Sequence, residues 1–253
     1  MRLARWKWLR GAVLAASISF VGLTGGAGAA EPTDIDTAMS VAKLLQSARA
    51  VIGAEQTKIN DPSVGNKGLT SDVVEKAAID NFVKAGGADP RQADKNTRYG
   101  RLTGALLHSV RDVLDENQPT INKQGVGFKG FIPAVFGRLV SERFNELVGK
   151  EADMKVTAPP ELVRNRKARP DAWEAEIIRT KLTAASWKKG DPFSTEAPRN
   201  NRQALRVLVP EYYTEGCLAC HGEPKGKMDV TGYPMEGAKL GDLGGVISIA
   251  LFR

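Results

Sequence analysis

The sequence predicts an α+β fold, with an N-terminal helical region built from a duplicated helix-loop-helix and then an antiparallel sheet. Three observations predict it. A 25-residue stretch recurs at an offset of 62 residues with twelve identities. The apolar spacing of an amphipathic helix is confined to the part before Gly149. Beyond it come short β-branched and aromatic stretches separated by Pro and Gly, without the strand-helix alternation of a parallel sheet.

The first thirty residues have the form of a cleavable secretory signal. Arg2, Arg5, Lys7 and Arg10 precede an apolar run from Gly11 to Leu23, and Ala27 and Ala29 supply an A-x-A cleavage site. Residues 1–29 are therefore expected to be removed on export to the periplasm, and no other stretch is apolar enough to span a membrane. This segment carries four of the 36 basic residues and no acidic one. The mature chain is then close to neutral, which gives no argument for nucleic acid.

The repeat begins at Leu44 (LLQSARAVIGAEQTKINDPSVGNKG) and again at Leu106 (LLHSVRDVLDENQPTINKQGVGFKG). Each copy opens with an amphipathic helix. Val41, Leu44, Leu45, Ala48, Val51 and Ile52 form the apolar face of the first, and Leu106, Leu107, Val110, Val113 and Leu114 that of the second. A polar loop with glycines follows in both. A second helix then starts in each copy, near a capping pair Asp72 and Glu75 with Gly86-Gly87 as its stop, and at Pro133 with Gly149 as its stop. Its second version shows an apolar face of Phe136, Leu139, Val140, Phe144, Leu147 and Val148. Duplicated packing scaffold is the favoured reading of the repeat. The expected divisions are an N-terminal helical repeat over 34–100 and a second domain over 101–253.

After Gly149 two strands are expected, Ala204–Thr214 and Gly244–Phe252. Residues 158–173 read as a basic, proline-bounded loop. Between the strands lies GCLACHGEP, residues 216–224, which holds both cysteines and one of the two histidines. A local disulfide, a thioredoxin-type redox pair and zinc are weaker readings. The Gly- and Pro-rich sequence after His221 lacks the helix of a thioredoxin motif, and only His108 remains as a soft fourth zinc donor. Covalent haem uses all five positions: Cys217 and Cys220 as thioether donors to one porphyrin edge and His221 as the proximal iron ligand.

With these elements in order, the chain resembles the bacterial periplasmic c-type haem domains with a PAS-like fold. The resemblance rests on QPTIN (Gln118 to Asn122), GFKGFIPAVFGRLV (Gly127 to Val140), RPDAWE (Arg169 to Glu174), YYTEGCLACHGEP (Tyr212 to Pro224) and EGAKLGDLGGVISIAL from Glu236. It implies one covalent haem c held against a small PAS-like antiparallel sheet, with helices before it, and a redox or sensing role outside the cytoplasm. Some members place an upstream cysteine on the distal side of the iron. No cysteine lies outside the motif here, so that coordination is not available. The membrane segment and signalling module of many members are likewise not expected.

The distal ligand stays open among His108, a methionine (Met228, Met235, Met154 or Met39) and an open or water-bound iron. His108 points away from the apolar face of its helix, although Gly104 and Ala105 leave room beside it. Arg164, Arg166 and Arg169, with Lys239, are the expected partners of the haem propionates, against a solvated basic loop. Periplasmic electron transfer with a redox partner protein is the leading function, and haem-based redox or gas sensing through a partner is the alternative. No acid/base pair stands out beside the motif, so enzymatic turnover ranks third. Oligomeric state is left open.

Overall fold

The computed structural model describes residues 32–253. The secretory signal expected over 1–29 lies outside the described residues. Seven α-helices and one four-stranded antiparallel sheet are present among them. None of these helices is long and apolar enough to cross a membrane.

Helices α1 (Asp34–Ala54) and α4 (Arg98–Ile121) are the first helices of the two repeat copies. A capping box closes the start of α1: Thr33 Oγ1 accepts from the Asp36 amide and Asp36 Oδ2 from the Thr33 amide, each at 3.1 Å. The short α2 (Gln56–Ile59) follows α1, then α3 (Ser71–Lys84). The cap of α3 is Thr70 rather than the Asp72–Glu75 pair. Those two carboxylates instead receive Arg111 of α4, at 2.6 and 3.3 Å. Helix α5 (Pro133–Val148) starts at its proline as expected, although Leu147 of the anticipated apolar face is 46% exposed.

The two copies face one another across a local pseudo-twofold relation. Lys67 and Lys129 are equivalent residues, as are Asn60 and Asn122. The Lys67 amide donates to Asn122 Oδ1 at 2.8 Å, and the Lys129 amide donates to Asn60 Oδ1 at 3.0 Å. Gln56 and Gln118 repeat the exchange, donating to the carbonyls of Phe131 and Leu69 at 3.0 and 2.8 Å. Each lysine ammonium donates to carbonyl oxygens: Lys67 to Asp61 and Val64 of its own loop, Lys129 to Val126 of its own loop and to Ile59 of the first copy. Polar backbone that would otherwise be buried unpaired is thereby satisfied.

The sheet runs β1 (Ala152–Thr157), β4 (Leu243–Phe252), β3 (Ala204–Tyr212), β2 (Phe193–Glu196) in spatial order, all antiparallel. The two central strands are those the sequence predicted. One face carries Met154, Val207, Val209, Ile247, Ile249 and Leu251 into the same core as Val41, Leu44, Leu45, Leu102, Leu106, Phe136 and Phe144. The division expected at residue 100 falls inside α4, and this core is continuous across it. The other face is covered by α6 (Ala172–Ile177), which runs on as a π-turn to Leu182. There the buried Arg206 donates to Asp171 at 2.7 Å and to the buried Glu174 at 3.1 Å, with its guanidinium 4.0 Å over the Trp173 ring. Lys155 adds a second cation to Glu174 at 2.7 Å.

Candidate functional site

Strand β3 carries the chain directly into the cysteine motif. Past its end, the Tyr213 amide donates to the Asp242 carbonyl and its carbonyl accepts from the Gly241 amide, both at 2.9 Å. Thr214 then precedes α7 (Glu215–His221), a short helix that holds the motif, and makes no side-chain capping hydrogen bond to it. Cys217 and Cys220 stand three positions apart, on one side of that helix, and His221 is four positions from Cys217. Both thiols are free and partly exposed. Burial, followed by the nearby Asp229 charge, pushes the Cys220 thiol up from its ordinary value.

The segment from Gly222 to Asp242 folds back over the motif. Ala238 donates its amide to the His221 carbonyl at 2.8 Å, and Gly237 donates to the Gly222 carbonyl at 3.0 Å. Gly237 has φ +77°, and a Cβ there would lie 2.9 Å from Lys225 Cβ, so the return needs a glycine.

This return brings Glu236 to the imidazole. His221 Nδ1 lies 2.9 Å from Glu236 Oε2. Arg164 reaches the same carboxylate with two nitrogens, Nε to Oε1 at 2.7 Å and Nη2 to Oε2 at 2.9 Å. Its Nη1 donates to Asp229 Oδ2 at 2.6 Å, and Nη2 also donates to the Cys220 carbonyl at 2.9 Å. Burial works to raise the Glu236 pKa. Hydrogen bonds from Arg164 and then His221 outweigh it and hold the carboxyl below its usual range.

Tyr213 packs on the other side of the imidazole, with ring centroids 4.9 Å apart and planes 27° from parallel. Its hydroxyl, 3.4 Å from His221 Nδ1, is long for an O–H···N bond, so the contact is a stack. Burial and the Glu236 charge push the Tyr213 hydroxyl up to about 12. Gly244 makes room for this ring, since a Cβ there would meet Tyr213 Cε1 at 2.4 Å. At the end of β3, Glu211 accepts from Arg49 Nη1 at 2.6 Å, which ties α1 to the strand beside the motif. Arg49 also donates to the Pro133 carbonyl at 3.3 Å and passes over Gly137, where a Cβ would stand 2.7 Å from Arg49 Cδ.

The expected site residues are placed unevenly. Cys217, Cys220 and His221 share α7, and Arg164 meets them there, with Nε, Nη1 and Nη2 all donating to protein acceptors. Arg166 and Arg169 are exposed, on a turn that runs back along β1, and neither is hydrogen-bonded or ion-paired to the motif through its side chain. Lys239 is exposed one residue beyond the Ala238–His221 contact. His108 is 61% exposed on α4, 3.5 Å from Asp112, and α4 packs on α1, α3 and α5. Of the methionines, Met154 is in the core, Met39 packs against it, Met235 is buried next to Glu236, and Met228 is 58% exposed. Sequence reasoning passed over Glu236, Asp229 and Tyr213. Glu236 and Tyr213 stand inside the quoted family segments, but no spacing rule connects a glutamate fifteen residues downstream to the imidazole of a Cys-x-x-Cys-His motif.

The fold and the motif together describe an α+β chain whose central strand leads into one short helix bearing two free thiols and a carboxylate-bound imidazole. The chain belongs to the Tll0287-like family, whose model matches residues 30–251. The resemblance stated from the sequence is thus borne out at the level of the family. Among solved structures, the cyanobacterial haem protein Tll0287 is similar at 14% identity, over 60% of this chain and 96% of that one, with a TM-score of 0.39. No curated protein matches.

Proposed function

We propose that this chain is an exported mono-haem c-type cytochrome whose role is electron transfer to a partner protein in the periplasm. The observation that carries the reading is the state of His221: with Nδ1 against a carboxylate, the imidazole is left with Nε2 as its donor atom, on the same short helix as two free thiols. Membership of the Tll0287-like family supports it, since a solved relative is a haem protein. The donor set fits haem c. Cys217 and Cys220 would hold it through thioethers and His221 would supply a nitrogen to its iron. Met228, Val230, Tyr233 and Leu240, each more than 40% exposed beside the motif, offer apolar surface for a porphyrin to cover.

A haem bound there supplies a one-electron couple at its iron. The protein's part is to hold His221 in one orientation between Glu236 and Tyr213 and to anchor the motif through Arg164. Lys239, exposed one residue beyond the Ala238–His221 contact, would be free to pair with a propionate. The helix-backed antiparallel sheet supports the PAS-like reading, and the basic-apolar-small pattern of the first thirty residues supports export.

A second reading, sensing of a small ligand, is favoured by the exposure of His108. His108, the chain's other histidine, stands exposed on α4 beside Asp112, so a second ligand to a bound iron would come from a methionine or an exchangeable small molecule. The test of the haem reading is acid-acetone extraction followed by a pyridine haemochrome spectrum. The colour stays with the wild-type polypeptide and leaves Cys217→Ser with Cys220→Ser. Carbon monoxide separates the roles: a low-spin haem that does not bind it supports electron transfer, and rapid binding to a high-spin haem supports sensing.

A further inference from the structure

We infer that Glu236, clamped by Arg164, is a positioning residue that sets the donor strength of His221 and, through it, the reduction potential of the haem. The inference rests on the haem reading above and goes beyond it. Glu236 binds a guanidinium through both oxygens, and such a carboxylate is ionised and can only accept hydrogen bonds. The contact of 2.9 Å to His221 is therefore an Nδ1–H donating to Oε2. That fixes the tautomer, because Nδ1 carries the proton and Nε2 keeps the lone pair. Tyr213 does not compete for this proton, since its ring stacks on the imidazole and its hydroxyl is 3.4 Å away.

The clamp is built to hold still. Asp229, whose side chain has no exposed surface, takes Arg164 Nη1 at 2.6 Å, and is itself held by the Thr231 amide at 2.7 Å and the Thr231 hydroxyl at 2.6 Å. Arg164 also binds the Cys220 carbonyl, so the group that orients Glu236 is tied to the backbone of the motif it serves. The side chains of His221, Glu236 and Arg164 are 28%, 18% and 19% exposed, so water screens the interaction only in part.

A carboxylate drawing on the Nδ1 proton makes Nε2 a stronger donor and places a negative charge next to the ligand. Both effects favour the oxidised iron over the reduced one. An ion pair that only fastened the returning loop would hold the chain equally well but leave the iron's equilibrium unmoved.

Reduction potentials of the haem-loaded protein decide between the two. Glu236→Gln keeps the shape and an acceptor oxygen and removes the charge. It is expected to shift the reduction equilibrium toward ferrous iron by about tenfold, ~59 mV upward for a one-electron couple. Glu236→Asp keeps the charge but draws it back by one methylene, and its potential is expected between those of the wild type and the Gln variant. Should the Gln variant fail to fold, the Asp variant decides by its smaller shift in the same upward direction. An attached haem whose potential is the same in wild type and variant overturns this inference alone. A wild-type chain that carries no covalent haem overturns the haem reading, and this inference with it.

Discussion

Lys67 and Lys129, 62 positions apart, are the same residue twice: each donates its amide to the asparagine at the turn of the other copy, Asn122 and Asn60. The repeat thus contains a pair of loops that satisfy one another's backbone groups. Asn122→Ala and Asn60→Ala each leave an amide unpartnered and are expected to cost about 1–2 kcal/mol of stability. Asn122→Ala is the costlier, because Lys67 is buried and Lys129 is not. Negligible shifts of the urea midpoint would show that water replaces both bonds, and equal shifts would contradict the greater cost of Asn122→Ala.

Gly137→Ala is expected to destabilise the protein by about 1–3 kcal/mol, since the new methyl group must displace Arg49 from above α5. The same shift loosens the Arg49–Glu211 pair at the end of β3. A crystal structure of the variant with that pair intact, together with an unchanged melting temperature, would contradict the assignment.

A chain that starts at Thr97 lacks α1, whose Val41, Leu44, Leu45, Ala48 and Ile52 are fully buried against α4, α5 and the sheet. Its remaining core is uncovered, and the expected outcome is aggregation or self-association on size exclusion. A well-behaved monomer with an unchanged haem spectrum would show that residues 34–96 are dispensable for folding.

His108→Ala is expected to leave the optical and EPR spectra unchanged, because the side chain is 61% exposed and its neighbour is Asp112. Loss of a low-spin signal in this variant would place His108 on an iron, within the chain or in a second copy.

Asp171 links acid stability to the far face of the sheet. Burial raises its pKa, but hydrogen bonds from the Glu174 amide and from Arg206, with the charges of Arg206 and Arg199, outweigh it and hold the group below the ordinary value. A folded pKa below the unfolded one gives stability that is complete above the unfolded value, near 3.9, and is lost as pH falls through the folded one. Stability of the wild type is therefore expected to drop more steeply below about pH 5 than that of Asp171→Asn. Parallel acid curves for the two proteins would rule this out.

The long elements were legible in the sequence because their burial is periodic. The stripes on α1 and α4 are the residues that the core takes up, and β3 and β4 are mostly apolar and buried, with Arg206 and Ser248 as buried polar exceptions, because they lie at the centre of a sheet covered on both faces. The edge strands β1 and β2 gave no such signal. They are short and half-exposed, and ADMKVT and FSTE carry little apolar weight. The cap of α3 was misplaced because Asp72 and Glu75 fit the local rule, while their partner, Arg111, is 39 and 36 residues away.

At the site, adjacency in sequence determined what could be read. Two thiols and an imidazole within five residues can be read wherever the chain folds, since their Cys-x-x-Cys-His spacing is fixed along the backbone. The environment of the imidazole is another matter. Glu236 is fifteen residues beyond His221, and Arg164 is 72 residues before Glu236 and 65 before Asp229. Arg164 looked from the sequence like a partner for propionates, and only the folded chain shows its nitrogens on Glu236, Asp229 and the Cys220 carbonyl. The donor atoms were determined by local sequence, whereas their tautomer and orientation were decided by tertiary structure. The physical reason is that a hydrogen bond between side chains depends on angstrom-scale placement, which a loop returning over the motif supplies and residue order alone does not.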